Sequence, residues 1–258
     1  MATLRTALHT FVFWAYLIGA LPIFFVPALL IFLVTLPFDP NGRILHYYTC
    51  FWCAQHLWLN PFWRLDIQGK ENVRRDRAYV YACNHNSSGD IAVLFSLFLP
   101  FKFVSKHQNF WAPFLGWNMH LNRYVSLKRG DPESVKKMMA TCEMWLRRGV
   151  SIMMFPEGTR SRTGEMLPFR PGAFKLAMDA GVAVVPIVLD GTFEALPPNG
   201  ILSQSRIVPV RARICAPVES AGFTDVTAFS DAVRAVMVEE QARLRLLPGA
   251  SQPRGPQA

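Results

Sequence analysis

Hydrophobic and polar positions divide the chain into three stretches. From Phe11 to Leu36 a 26-residue run carries no charged side chain. As one helix it would extend about 39 Å, enough to cross the hydrocarbon core of a bilayer. Pro22 and Pro27 each remove a backbone donor and favour a kink, and Pro37, Asp39, Pro40 and Gly42 make a firm stop. A second apolar stretch, Ile44 to Trp63, is broken at Pro61 and carries His46, Tyr47, Tyr48, Trp52, His56, Trp58 and Trp63, the make-up of an interfacial helix. Residues 1–63 are therefore predicted to be membrane-anchoring helices, either one span or a hairpin embedded from one side.

Beyond residue 64 short β-rich runs alternate with amphipathic ones. The pattern predicts strands over 64–68, 78–83, 101–105, 124–127, 150–155, 182–189 and 207–215, and helices over 88–99, 132–148, 172–180 and about 224–247. Asp131-Pro132-Glu133 supplies a capping oxygen, a proline at the first helical position and an acid near the positive dipole end. This order predicts a mixed α/β fold, a largely buried sheet flanked by helices, over residues 64–247. The last stretch, 248–258, is rich in Pro, Gly, Gln and Ser and is predicted to be disordered.

Composition narrows the partner. The 258 residues carry a net charge of +9, and 51% of them are hydrophobic. The charge calls for an anionic partner, and the apolar N-terminus favours lipid over nucleic acid, whose readers carry denser basic runs than Arg74-Arg75-Asp76-Arg77. Arg5 alone precedes the apolar run, whereas Arg43, Arg64, Lys70, Arg74, Arg75 and Arg77 follow it, so the body is expected on the cytoplasmic face of the inner membrane. Five cysteines without framework spacing indicate reduced thiols, and Cys50 and Cys53 lack a second pair at zinc spacing. No metal site is expected.

Candidate chemistry sits in four places. Asn84-His-Asn-Ser-Ser-Gly-Asp90 leaves the end of a strand, where open α/β sheets bind ligands. There Asp90 can accept a hydrogen bond from one imidazole nitrogen of His85 and leave the other as a base. Spacing alone equally allows a helix-capping Asp90 beside a surface histidine. Phe155-Pro-Glu-Gly-Thr-Arg160 turns sharply after an apolar strand; Gly158 would let the backbone approach a ligand, and Arg160 offers a planar fork for phosphate. Lys106 and Arg129 each follow a strand, with Phe110, Trp111, Phe114 and Trp117 between them as core, acyl-channel or interface residues. Pro186 interrupts a buried strand and is expected at an edge or bulge.

Taken in order, the blocks at 84–90, 106–129, 155–160 and around Pro186 resemble the glycerolipid acyltransferases of the 1-acyl-sn-glycerol-3-phosphate acyltransferase type. The resemblance implies transfer of a fatty acyl group from acyl-CoA or acyl-carrier protein to lysophosphatidic acid at a membrane, without a further cofactor. By it His85 is the general base and Asp90 orients it. Arg129 and Arg160 bind the acceptor phosphate with Lys106 adding positive potential, while Glu157, Gly158 and Thr159 complete the substrate-binding turn. The family often has an acid where this chain has Lys128, and a glycine where it has Asn122-Arg123. Another acceptor, such as a lyso-ornithine lipid or another lysophospholipid, therefore stays open, as does a non-catalytic membrane-binding role. A serine hydrolase is disfavoured, because no Gly-x-Ser-x-Gly elbow occurs.

Overall fold

The uncharged N-terminal run folds as a single helix, α1 (Leu4–Thr35), which continues through Pro22 and Pro27. The computed structural model describes residues 4–197 and 207–250. After a turn at Gly42, which adopts φ 63°, the chain returns as α2 (Arg43–Trp58). Asp39 Oδ2 accepts from Ile44 N at 2.7 Å and so caps the returning helix. The two helices run antiparallel, because ring contacts pair His9 with Phe62, Tyr16 with His56 and Phe24 with Trp52.

The other face of α2 is buried against the body. The His46 ring lies between Tyr124 Oη and the Leu99 carbonyl, each at 2.8 Å, and burial lowers its pKa to about 4, so it is neutral. Thr49 meets the side chains of Asn118 and Asn122. Packing therefore joins α2 to the body, so the expected boundary at residue 63 is not a packing boundary.

Among the described residues seven strands follow: β1 (Trp63–Gln68), β2 (Val80–Cys83), β3 (Phe101–Lys106), β4 (Val125–Leu127), β5 (Ser151–Met154), β6 (Val184–Asp190) and β7 (Val208–Ile214). They form one sheet in the order β1-β7-β6-β2-β5-β3-β4, in which every neighbouring pair is parallel except β6 and β7. This is the mixed α/β sheet that the alternation predicted. The helices are α3 (Gly89–Ser96), α4 (Leu115–Leu121), α5 (Pro132–Arg147), α6 (Gly172–Asp179), the single turn α7 (Thr192–Ala195) and α8 (Val226–Arg245). Strand alternation places Tyr79, Tyr81 and Cys83 against α2 and α3, and Val80 and Ala82 against α5, α6 and α8. Both sheet faces are thus covered. Asp131 caps α5 as expected, accepting from Ser134 N at 3.2 Å.

Of the two places expected for Pro186, an edge or a bulge, the second holds: it lies in β6, with β2 on one side and β7 on the other. Its missing N–H is accommodated where the ladder toward β7 slips by one residue, since Val184 bridges Val218 while Ile187 already pairs with Ile214. The beginning of the supposed disordered tail is packed. Pro248 O accepts a hydrogen bond from Arg211, which is itself buried and ion-paired with Asp190 at 3.2 Å. The rest of that call, 251–258, lies outside the described residues.

Candidate active site

Because β2, β3, β4, β5 and β6 are parallel, the segments leaving their C-terminal ends meet along one edge of the sheet. Asn84 extends β2 through its side chain. Its Nδ2 donates to Leu189 O at 2.9 Å and its Oδ1 accepts from Leu189 N at 2.7 Å, which locks the loop onto β6. The next residues then turn around one carboxylate oxygen. Asp90 Oδ2 accepts from Asn86 N at 2.6 Å, Ser87 N at 2.8 Å and His85 Nδ1 at 2.9 Å. Asp90 is fully buried in the first turn of α3. The sequence left open whether Asp90 only caps the helix or holds the imidazole; its Oδ2 holds the imidazole together with two N–H groups of the loop that precedes α3. Ser87 Oγ donates to Leu196 O and accepts from Gly89 N, whereas Ser88 Oγ accepts from Arg160 Nη1 at 2.8 Å. Gly89 is required, because a Cβ there would lie 2.6 Å from the Trp63 ring.

With Nδ1 donating to Asp90, the proton-accepting atom of a neutral His85 is Nε2. The ring stacks on Phe155 with centroids 3.9 Å apart and planes 9° from parallel, and 13% of the side chain is exposed. It lines a cleft of about 350 Å³ together with Ser88, Ile91, Phe103, Asn109 and the cations Lys106, Arg129 and Arg160. Among the described residues none of these three cations has a carboxylate within ion-pair distance. Partial burial and then the neighbouring Arg170 charge lower the pKa of Arg129, so the cleft holds positive charge that an anion would relieve. Thr159 also lines it.

Glu157 and Gly158, expected to complete the turn, are held by the protein's own groups. Glu157 does not line the cleft. It is buried, with Oε1 accepting from His85 N at 2.7 Å and Oε2 from Leu167 N at 2.9 Å. Ser161 N donates to His85 O at 2.8 Å, so both sides of the His85 peptide are fastened to the 155–161 turn. Gly158 adopts φ 71°, and a Cβ there would lie 2.7 Å from Arg170 Nε. Both residues thus shape the turn that carries Arg160, a placement the one-dimensional motif does not show.

Burial, against the pull of the two backbone N–H groups, raises the Glu157 pKa to about 7. A carboxyl raised in the folded state retains its proton where the unfolded chain has lost it. Its stabilising contribution is therefore complete below the unfolded pKa of about 4.5 and is lost as pH rises toward 7, to the extent of roughly 3 kcal/mol. Thermal denaturation of Glu157→Gln across pH 4.5 to 8 should lack this falling component. A slope equal to that of wild type would show that another group carries it.

The sequence matches the family described as Acyltransferase over residues 64–190, which includes the His85–Asp90 loop and the 155–160 turn. The chain belongs to that acyltransferase family. The chain is 42% identical over 196 residues to a 1-acyl-sn-glycerol-3-phosphate acyltransferase of Chlamydomonas reinhardtii, covering 75% of this chain and 57% of that one. It is 41% identical to the chloroplastic LPAT1 enzyme of the same description from Arabidopsis thaliana, over 66% of this chain and 48% of the relative. To the alpha form from Mus musculus it is 33% identical, over 68% and 62% respectively. The chain thus spans about half the length of the first two relatives. The crystal structure of the lysophosphatidic acid acyltransferase PlsC from Thermotoga maritima superposes with a TM-score of 0.76 over 94% of this chain and 97% of that chain, at 21% identity, so the two share a fold.

Proposed function

We propose that this acyltransferase moves a fatty acyl group from a thioester, acyl-CoA or acyl-carrier protein, to the free hydroxyl of 1-acylglycerol-3-phosphate, giving phosphatidic acid. The observation that carries the reading is one cleft holding both a carboxylate-oriented imidazole and three cations without carboxylate partners among the described residues. In this reading the acceptor phosphate lies on Arg129 and Arg160, with Lys106 contributing potential. His85 Nε2 takes the proton of the acceptor hydroxyl as its oxygen attacks the thioester carbonyl carbon. The developing imidazolium is stabilised by the Asp90 carboxylate. Collapse of the tetrahedral intermediate expels the thiolate, which receives the proton from His85. The steps need no group beyond the two substrates.

An apolar cleft of about 130 Å³ between α1, α2 and α3, lined by Phe13, Trp14, Leu17, Leu57, Trp63 and Ala92, meets the polar one at Ser88. An acyl chain fits its chemistry. The packing of α1 along α2 from His9 to Phe24, about 22 Å of helix, favours a hairpin embedded from one side over a lone span. With basic residues concentrated after the hairpin, this is the cytoplasmic face of the inner membrane.

The test is acyl transfer by the detergent-purified chain with each thioester and lysophosphatidic acid. Arg160→Ala should raise KM for that acceptor roughly 10- to 100-fold, the worth of a charge-assisted contact made equally in ground and transition states. A loss confined to kcat would remove Arg160 from ground-state binding. Full activity in Arg160→Ala would favour an acceptor without phosphate, the lyso-ornithine type.

A further inference from the structure

Between β3 and β4 the chain makes a projection that the chemistry above does not use. A 3-10 turn (His107–Trp111) leads through Ala112 and Pro113 into α4. At its tip the apolar side chains face outward: Trp111 is 74% exposed, Trp117 46% and Leu115 45%. Phe114 is held at φ 60°, ψ −55°, a conformation costly for a residue with a Cβ. Gly116 packs so tightly that a Cβ would lie 2.3 Å from Phe110 O. A strained, closely packed turn that displays two tryptophans is a built feature rather than a slack loop.

Two observations identify what covers it. The projection is continuous with the apolar surface of α1, where the Phe25 ring contacts those of Phe114 and Trp117 at 5.8 and 5.5 Å. Leu29, Leu30, Leu33 and Val34 extend that surface on the same helix, also exposed. In addition, from Lys106 to Gly130 the chain has no acidic residue, while Lys106, Arg123, Lys128 and Arg129 are exposed cations within it. Lys128 pairs with Asp131 at 3.4 Å, whereas the other three have no carboxylate within ion-pair distance among the described residues. Exposed aromatic side chains flanked by such positive charge complement an anionic lipid surface.

We propose that the Trp111–Trp117 projection is a second bilayer contact, separate from α1, which seats in the headgroup region of an anionic membrane. Its turn also supplies Asn109 to the wall of the polar cleft. Seating it therefore fixes the cleft beside the membrane surface from which a lipid acceptor would enter. The contact depends on α1 being membrane-embedded, and only its kinetic arm depends on the proposed acyl transfer.

The binding arm uses the full chain with an environment-sensitive fluorophore on Leu115→Cys, mixed with vesicles of phosphatidylcholine alone or with phosphatidylglycerol. A blue shift, larger with phosphatidylglycerol, is expected; no shift with either would overturn the contact. A label on Lys137→Cys, on α5, should not respond. In the kinetic arm, Trp111→Ser/Trp117→Ser should lose roughly tenfold in rate on acceptor presented in vesicles. Its rate on a short-chain acceptor dissolved as monomer should stay within about twofold of wild type, because neither tryptophan lines the polar cleft. Equal losses on both acceptors would assign the tryptophans to a substrate path instead, and a concentration-dependent dimer lost in the double variant would assign the surface to a second copy. An inactive wild type with an intact fluorescence shift would count against the acyl-transfer reading alone.

Discussion

His85→Ala should fold and lose about 10³-fold in kcat, the contribution of a positioned general base. The fold survives because the side chain contributes one stacked face, against Phe155, while its backbone does the anchoring through Glu157 and Ser161. Neither backbone bond involves the imidazole. Loss of the ring costs stacking of about 1 kcal/mol and leaves Asp90 Oδ2 with both backbone donors. KM for a phosphate acceptor should change little, since the cations are untouched. The comparison is kcat of wild type and variant in the same detergent, with the melting temperature of each. A variant within tenfold of wild type would remove His85 as the base and return the binding-only reading to the front.

How far the sequence foretold this site depended on whether a feature is local. All seven strands were legible because each is a short β-rich run bounded by turn residues, and the start of α5 because its cap is encoded in three adjacent residues. The His85–Asp90 contact was legible because four intervening residues suffice to fold one side chain onto the other. The role of Glu157 was not, because it depends on β2 and β5 being neighbours, and no pattern along the chain announces strand order. Lys102 was missed for a similar reason. It alternates with Phe101 and Phe103 on a strand, yet it is buried, with Nζ donating to Asn41 O and Asn122 O at 2.7 Å each and lying 4.8 Å from the Trp145 ring centre. Burial lowers its pKa to about 7, and its carbonyl partners come from the α1–α2 turn and the end of α4. The interfacial reading of α2 missed its inner half likewise, since His46 and Thr49 become core residues only once α4 and β4 are in place.

Replacement of Asp90 separates its two tasks. In Asp90→Asn the amide oxygen can occupy the position of Oδ2 and keep all three hydrogen bonds, from Asn86 N, Ser87 N and His85 Nδ1. The amide nitrogen then replaces Oδ1. The loop and the tautomer persist, and what disappears is the negative charge that stabilises the imidazolium. A charge-assisted bond reduced to a neutral one weakens by about 1 to 1.5 kcal/mol, which is roughly 5- to 10-fold in kcat. In Asp90→Ala two buried backbone N–H groups lose their acceptor, at about 1 to 3 kcal/mol each, and α3 loses the acid in its first turn. That variant should melt well below wild type and approach His85→Ala in rate. The expected order of kcat is therefore wild type, then Asp90→Asn, then Asp90→Ala and His85→Ala together, with a large stability loss in Asp90→Ala alone. If Asp90→Asn matched His85→Ala in rate while remaining stable, the amide would have turned its nitrogen toward His85 and forced the other tautomer. The catalytic need would then be for the position of the proton on the ring rather than for the charge behind it.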